Sequence, residues 1–252
     1  MPKLMTSDDL DVINVTGAGN FQFSAIRVED LGATEYTLVT IVCDISGSVS
    51  GFDDDLLNAI KEIVQACQKS PRAENLLIRF LTFNENISEI HGFVNLSDID
   101  INSYDPLHPS GTTSLFDATY DAVGATTEYS KRLIDQDFDC NGIVFVITDG
   151  MDNRSRMTPM SIKEKISTAV AMEEIESLST ILITLTRPGT SMEREIDRAL
   201  NIFFSEAELT QRVDVGEATK SNLAKLANFV SQSISSQSQA LGTGAPSQVL
   251  AL

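Results

Sequence analysis

Two uninterrupted runs of apolar and β-branched residues constrain the fold of this chain more than any other feature. They are YTLVTIVC, from Tyr36 to Cys43, and GIVFVIT, from Gly142 to Thr148. Neither run alternates with polar residues, which is the pattern of strands covered on both faces. Such strands occur mainly in parallel sheets with helices on each side. The first run is therefore predicted to be a central parallel strand, and the second a strand buried on both faces.

Segments with helical spacing separate these runs from further strand candidates. Helices are predicted near 53–69, 115–133, 161–176, 192–200 and 219–235, and strands at 75–84, 87–94, 180–185 and 202–204. The link between the strands at 75–84 and 87–94 is too short for a crossover, so this pair is predicted to be antiparallel. The other links require right-handed crossovers. The predicted class is a doubly wound, Rossmann-like α/β fold, with a mostly parallel sheet, one antiparallel edge strand and helices on both faces.

The chain divides into one large domain and two small additions. Residues 36–235 carry the strand and helix pattern of the domain. Residues 1–35 are an N-terminal extension, predicted to form a β-hairpin that turns at Gly17-Ala18-Gly19. Residues 236–252 are rich in Ser, Gln and Gly, and we predict a flexible C-terminal tail.

Composition excludes several classes of partner. The chain has 36 acidic and 18 basic residues, and its net charge of −18 repels phosphate backbones and anionic lipid surfaces. We therefore expect neither nucleic acid nor membrane as a partner. The N-terminus lacks the apolar core of a signal peptide, and no later run reaches the roughly 18 to 20 apolar residues of a membrane span, so a cytoplasmic location is expected.

The chain has three cysteines, an odd number, and they lie far apart in the sequence: Cys43, Cys67 and Cys140. This pattern indicates reduced residues that serve in packing.

The segment DISGSVS follows directly on the first buried strand, where open α/β sheets place their functional crevice. Asp44, Ser46 and Ser48 alternate, so in an extended loop their side chains fall on one side. A serine nucleophile would need the motif G-x-S-x-G, but Val49 stands where the serine should be. A simple helix cap would also explain the hydroxyls.

Two more polar loops are predicted at the same edge of the sheet. PSGTTSLFDA, at 109–118, enters a helix, and FVITDG, at 145–150, ends a buried strand on an acid. Hydroxyl and carboxylate oxygens suit Mg²⁺ rather than zinc or copper. We therefore predict a magnesium site, with Mn²⁺ or Ca²⁺ as alternatives. Its predicted residues are Asp44, Ser46, Ser48, Thr113 and Asp149.

These five positions resemble the von Willebrand factor A-type (vWA) domain over residues 36–235. The metal-ion-dependent adhesion site (MIDAS) of that family uses D-x-S-x-S, a distant threonine and a distant aspartate, in this order. The resemblance implies that Ser46, Ser48 and Thr113 contact the cation, while Asp44 and Asp149 hold it through waters and hydrogen bonds. It also implies that an Asp or Glu of a protein partner completes the coordination.

The expected function is a magnesium-dependent protein-binding module, or adaptor, without catalytic activity. Intracellular single-domain members of the family often act beside AAA+ ATPases, so the resemblance implies an AAA+ ATPase or another operon-encoded protein as partner. Residues around the site that could contact the partner are Ser50, Phe52, His108, Ser110, Asp152 and Asn153.

Two other functions stay open from the sequence. One is a hydrolase that uses the bound metal or Ser48, with His91 and His108 as the available histidines. The other is a structural subunit that assembles through the hairpin and the tail. Arg72 and Arg79 also have several interpretations: a partner-binding patch, surface residues that aid solubility, or internal ion pairs.

Overall fold

A computed structural model describes residues 10–15, 21–186, 192–244 and 250. Within these residues, eight strands form one sheet in the order β1-β2-β5-β4-β3-β6-β7-β8. The strands are β1 (Leu10–Asn14), β2 (Gln22–Ile26), β3 (Glu35–Asp44), β4 (Leu76–Phe83), β5 (Ile87–Asn95), β6 (Asp139–Thr148), β7 (Leu178–Thr186) and β8 (Gln211–Glu217). The main helices are α1 (Asp53–Gln68), α2 (Leu115–Ile134), α3 (Pro159–Ala171), α4 (Glu193–Glu206) and α5 (Lys220–Thr243).

Strand β3 lies at the centre of the sheet and pairs in parallel with β4 and β6. Ile41 and Cys43 face an apolar cluster that includes α1 and α5. Leu38 and Val42 face a second cluster that includes α2 and α4. Because helices cover both faces, the strand carries apolar residues without alternation. The predicted doubly wound, Rossmann-like α/β class is confirmed.

Strand β5 is the predicted antiparallel neighbour of β4. The N-terminal hairpin continues the sheet beyond it, because β2 pairs in parallel with β5 and antiparallel with β1. The predicted turn at 17–19 lies outside the described residues. Tyr129 of α2 fixes the hairpin by donating a hydrogen bond from its hydroxyl to the carbonyl of Ile26, at 2.6 Å.

Gly92 sets how closely the hairpin approaches β5. A Cβ atom added at Gly92 would lie 1.9 Å from the backbone carbonyl oxygen of Ser24 on β2. No side chain fits at that distance, so any larger residue must push the strands apart. The N-terminal extension is thus packed against the domain at a position that only glycine permits.

We expect Gly92→Ala to lower the free energy of unfolding by about 1 to 3 kcal/mol, the usual cost of overpacking. Denaturant unfolding measures this loss, and faster amide exchange in β2 would locate it at the hairpin. Gly32→Ala is the matched control, because a Cβ there meets nothing within 4 Å, and its effect should stay within about 1 kcal/mol. Equal effects of the two changes would contradict the tight contact.

Arg79 and Arg72 form internal ion pairs. Arg79 is 1% exposed; its Nη2 donates to Asp121 Oδ2 at 2.8 Å and its Nε to Glu89 Oε2 at 2.6 Å. Arg72 pairs with Glu35. The interpretation of Arg79 as part of a partner-binding patch is therefore wrong.

The predicted strand at 202–204 is wrong, because these residues lie within α4. Leu200 and Phe203, three positions apart, are the buried face of this helix. The strand that follows α4 is β8, which the sequence did not reveal. Only Val213 and Val215 of β8 are buried, since it is the outermost described strand on its side of the sheet.

The prediction of a flexible tail from residue 236 is wrong for residues 236–243, which belong to α5. The polar composition misled the prediction because Gln237 and Ser238 are buried against the domain. Asn141 Nδ2 donates to the carbonyl of Gln237 at 3.0 Å. The helix ends at Gly244, whose φ of 64° is typical of a helix C-terminus.

Cys43, Cys67 and Cys140 are buried free thiols, as predicted. Burial raises the pKa of each thiol, so all three stay protonated at neutral pH.

Among the described residues, no helix is both long enough and apolar enough to cross a bilayer.

Candidate metal centre

Three loops meet at the carboxyl ends of β3 and β6. We call them the first loop (45–52, after β3), the second loop (109–114, before α2) and the third loop (149–155, after β6). Parallel neighbouring strands end at the same edge of a sheet, and the pairing of β3 with β6 therefore brings the first and third loops together. The topology thus places the predicted site residues on adjacent loops.

Backbone hydrogen bonds join the first loop to the second. The amide of Gly47 donates to the carbonyl of Gly111 at 3.2 Å. The amide of Ser110 donates to the carbonyl of Ile45 at 2.9 Å. These bonds fix the second loop beside the hydroxyl-rich first loop.

Asp44 is the buried anchor of the site, with 1% of its surface exposed. Its Oδ1 accepts from the amide of Ser46 at 2.7 Å, and its Oδ2 accepts from Thr148 Oγ1 at 2.6 Å. Burial raises the pKa of Asp44 to about 6, and repulsion from Asp149 adds to that rise, while the hydrogen bonds from Thr148 and Ser46 oppose it. A bound cation would favour the charged carboxylate here.

The hydroxyls form a chain that leads from the first loop to the third. Ser46 Oγ lies 3.0 Å from Ser48 Oγ, and Ser48 Oγ donates to Asp149 Oδ1 at 2.5 Å. A Cβ added at Gly150 would lie 3.8 Å from Thr113 Oγ1 and 3.9 Å from Ser48 Oγ. The hydroxyls of Ser48 and Thr113, from separate loops, therefore border the same small space above Gly150. Together with Asp44, the structure brings all five predicted residues to one place.

The donor set fits a hard cation. It offers three neutral hydroxyls and two carboxylates, which are the oxygen ligands that Mg²⁺ and Ca²⁺ prefer. In the described ranges there is no group of three or more His, Cys, Asp or Glu residues placed to hold a metal. The candidate site in these loops therefore depends on its hydroxyl oxygens together with the carboxylates of Asp44 and Asp149.

Among the predicted partner-contacting residues, four lie on or beside the first and second loops. Ser50, His108 and Ser110 are exposed. Phe52 is half-buried and packs against the apolar cluster under α1. Their role in partner binding stays a prediction.

Asp152 and Asn153 hold the loops in place. Asp152 Oδ2 accepts from the amide of Phe116, at the start of α2, at 3.2 Å. Asn153 Oδ1 accepts from the amide of Thr113 at 2.9 Å, and the Asn153 amide donates to the Thr113 carbonyl at 3.0 Å. Both side chains therefore position Thr113 and α2, and their contact with a partner stays a prediction.

Two supporting residues were missed by sequence reasoning. Thr148 hydrogen-bonds Asp44, and the hydroxyl directly before Asp149 in V-I-T-D-G was a signal that could have found it. Glu85 Oε2 accepts from the amide of Thr112 at 2.8 Å. Nothing in the sequence marks Glu85, because it reaches the second loop only through the fold.

Sequence comparison alone assigns no family: no family model matches the chain, and no curated protein matches it. Solved structures do match. The PilB minor pilin from Streptococcus sanguinis gives a TM-score of 0.56 at 15% identity, over 88% of this chain and 66% of that chain. The pilus adhesin SpaC from Lactobacillus rhamnosus GG gives 0.52 at 9% identity, over 85% of this chain and 31% of that chain. At these identities the likeness shows a shared fold. This chain spans only part of either protein.

A third structure is proximal thread matrix protein 1 from the mussel byssus, with a zinc-occupied MIDAS motif. It gives a TM-score of 0.49 at 17% identity, over 81% of this chain and 47% of that chain. That similarity is too low to carry an argument about this chain, so the metal site rests on the residues described above.

Proposed function

We propose that this chain is a divalent-cation-dependent protein-binding module without catalytic activity. Asp44, Ser46, Ser48, Thr113 and Asp149 hold Mg²⁺, and a carboxylate from an Asp or Glu of a protein partner completes its coordination. The observation that carries the proposal is the convergence of three loops: Ser48 Oγ lies 2.5 Å from Asp149 Oδ1, and Gly150 lies under both Ser48 Oγ and Thr113 Oγ1.

The charge of the donor set supports binding of an acidic partner. Neutral hydroxyls leave the positive charge of the ion incompletely neutralised, so a carboxylate gains a strong ionic bond at the open position. Without the ion, the same carboxylate would meet Asp44 and Asp149 at close range in a chain of net charge −18. Removal of the ion should therefore abolish partner binding rather than weaken it slightly.

Among the described residues, neither histidine hydrogen-bonds Ser48, whose hydroxyl donates instead to Asp149, a residue of the proposed metal site. His91 Nε2 lies 2.8 Å from the hydroxyl of Tyr104, in a stacked pair on the β5 side of the sheet. His108 is exposed and makes no hydrogen bond among those of the described residues. A serine nucleophile is usually activated by a histidine within hydrogen-bonding reach, so these contacts favour a binding role. An adaptor role beside an AAA+ ATPase or another operon-encoded protein is the form of the proposal that the resemblance favours.

Partner capture from the native cell tests the proposal. The wild-type chain should retain a protein partner in Mg²⁺, lose it in EDTA and regain it when excess Mg²⁺ is added. Asp149→Ala should capture nothing in any of the three conditions. Asp135→Ala is the matched control, because Asp135 is exposed at the far end of α2, and it should behave like the wild type.

Two results would contradict the proposal. The first is capture that survives both EDTA and Asp149→Ala. The second is turnover of a phosphate or acyl ester that Ser48→Ala abolishes, which would favour the hydrolase instead.

A further inference from the structure

A groove of about 510 Å³ opens beside the proposed metal site. Ser48, Asp149 and Gly150 line one end of it, so the same residues border both the metal site and the groove. The other walls come from the end of β7, the first half of β8 and the first half of α4. A partner segment whose carboxylate reaches the metal must therefore lie at the entrance of this groove.

The groove has an apolar floor. Leu200 of α4 is 2% exposed, and Ile196, one turn before it, is half-buried; Leu200 belongs to the apolar cluster on the α2 and α4 face of the sheet, and Ile196 packs against that cluster. Met192 lies at the rim and is 44% exposed. An aliphatic side chain that enters would cover these residues and leave water, which is favourable.

Several polar groups of the groove lining already form hydrogen bonds within the chain. Arg212 Nη2 donates to Asp197 Oδ1 at 2.6 Å. Asp214 Oδ1 accepts from the amide of Gly216 at 2.9 Å and from Thr186 Oγ1 at 3.3 Å. An entering polar group would have to break such bonds, whereas an apolar group would not.

The charge of the lining disfavours a second acid. Asp149 belongs to the proposed metal site. Beyond it, the described lining includes three carboxylates, Glu193, Asp197 and Asp214, against the guanidinium of Arg212. The metal at one end can accept one carboxylate, but a further one in the groove would meet uncompensated negative charge. The groove therefore complements a neutral aliphatic side chain.

We infer that the partner presents an acidic residue with a bulky aliphatic residue directly beside it in the sequence, and no second acid there. The acid completes the metal coordination while the aliphatic side chain fills the groove over Ile196 and Leu200. This inference rests on the proposed function and adds the partner's recognition motif to it.

Blocked dipeptides test the inference by NMR titration of the full chain at saturating Mg²⁺. Aspartyl-leucine or leucyl-aspartate should bind about tenfold more tightly than aspartyl-glycine, the scale expected for an aliphatic group in an open apolar groove. Aspartyl-glutamate should bind more weakly than aspartyl-glycine. The shifts caused by leucine should include residues of β7 and α4.

A matched pair of variants locates the effect. Ile196→Asp should remove the tenfold preference for leucine. Ile202→Asp, on the same helix, 46% exposed and outside the groove lining, should keep it. The comparison of dipeptides on the wild type stands even where Ile196→Asp folds poorly.

The outcomes separate the inference from the proposed function. If Mg²⁺ shifts the signals of the five site residues and all dipeptides bind equally, the inference fails and the metal site stands. If both isoleucine variants lose the preference alike, the inference also fails. If Mg²⁺ produces no shifts at the five residues, the proposed function fails and the inference fails with it.

Discussion

Arg79→Met should lower the free energy of unfolding by about 3 to 5 kcal/mol at pH 7, the usual cost of breaking a buried ion pair from one side. Arg79 and Asp121 are 1% and 2% exposed in their side chains. Without the guanidinium, the Asp121 carboxylate would lie buried beside Glu89 with no opposite charge. Denaturant unfolding at pH 7 measures the loss.

The pH dependence of this variant follows from Asp121. Burial already raises the pKa of Asp121, and Arg79 is the group that opposes the rise. In Arg79→Met that opposition is gone, so the folded-state pKa rises further above the unfolded value. A buried acid with a raised folded-state pKa destabilises the fold while it is charged, and does so less once it is protonated. The loss in free energy of unfolding of Arg79→Met should therefore shrink as the pH falls from 7 to 5.

Two further variants serve as controls for the ion pair. Lys163→Met breaks the exposed pair of Lys163 with Glu208 and should cost less than about 1 kcal/mol. Arg79→Met combined with Asp121→Leu should recover most of the loss, because an apolar pair replaces the buried charges. A loss in Arg79→Met no larger than that in Lys163→Met would contradict the account of a buried network.

Mg²⁺ should stabilise the folded chain by about 2.7 kcal/mol when its concentration is 100-fold above its dissociation constant. For a chain of this size, each kcal/mol corresponds to roughly 2 to 4 °C in Tm. The gain should vanish in Asp149→Ala, which removes a carboxylate of the site and the acceptor of the Ser48 hydroxyl. Thermal unfolding with and without Mg²⁺ measures it.

Asp135→Ala, far from the three loops, should keep the full gain. Stabilisation by Mg²⁺ that is equal in the wild type and in Asp149→Ala would mean that the ion acts elsewhere on this acidic surface. The proposed site would then be wrong.

The central sheet and the candidate site could be predicted from the sequence because their signals are local. The buried runs ending at Cys43 and Thr148 are marked by unbroken β-branched residues, and the polar residues that follow them must lie at the same sheet edge in a parallel sheet. The grouping of Asp44, Ser46, Ser48, Thr113 and Asp149 therefore followed from strand order and motif alone.

Other elements could not be predicted, because contacts distant in sequence decide them. The run Ile202 to Phe204 has high strand propensity, but Phe203 is buried on α4 against Phe116, and packing overrides propensity. Gln237 and Ser238 are typical of a tail, yet they lie buried on α5. The pairing of Arg79 with Asp121 joins β4 to α2 across 42 positions, which no local pattern reveals.

Anomalous scattering from crystals of the chain soaked in Mn²⁺ tests the metal site most directly. The account predicts one strong peak among the three loops, within about 2.5 Å of the hydroxyl oxygens of Ser46, Ser48 and Thr113, and its loss in Asp149→Ala crystals. No peak at the three loops, or a peak there that persists unchanged in Asp149→Ala, would contradict it.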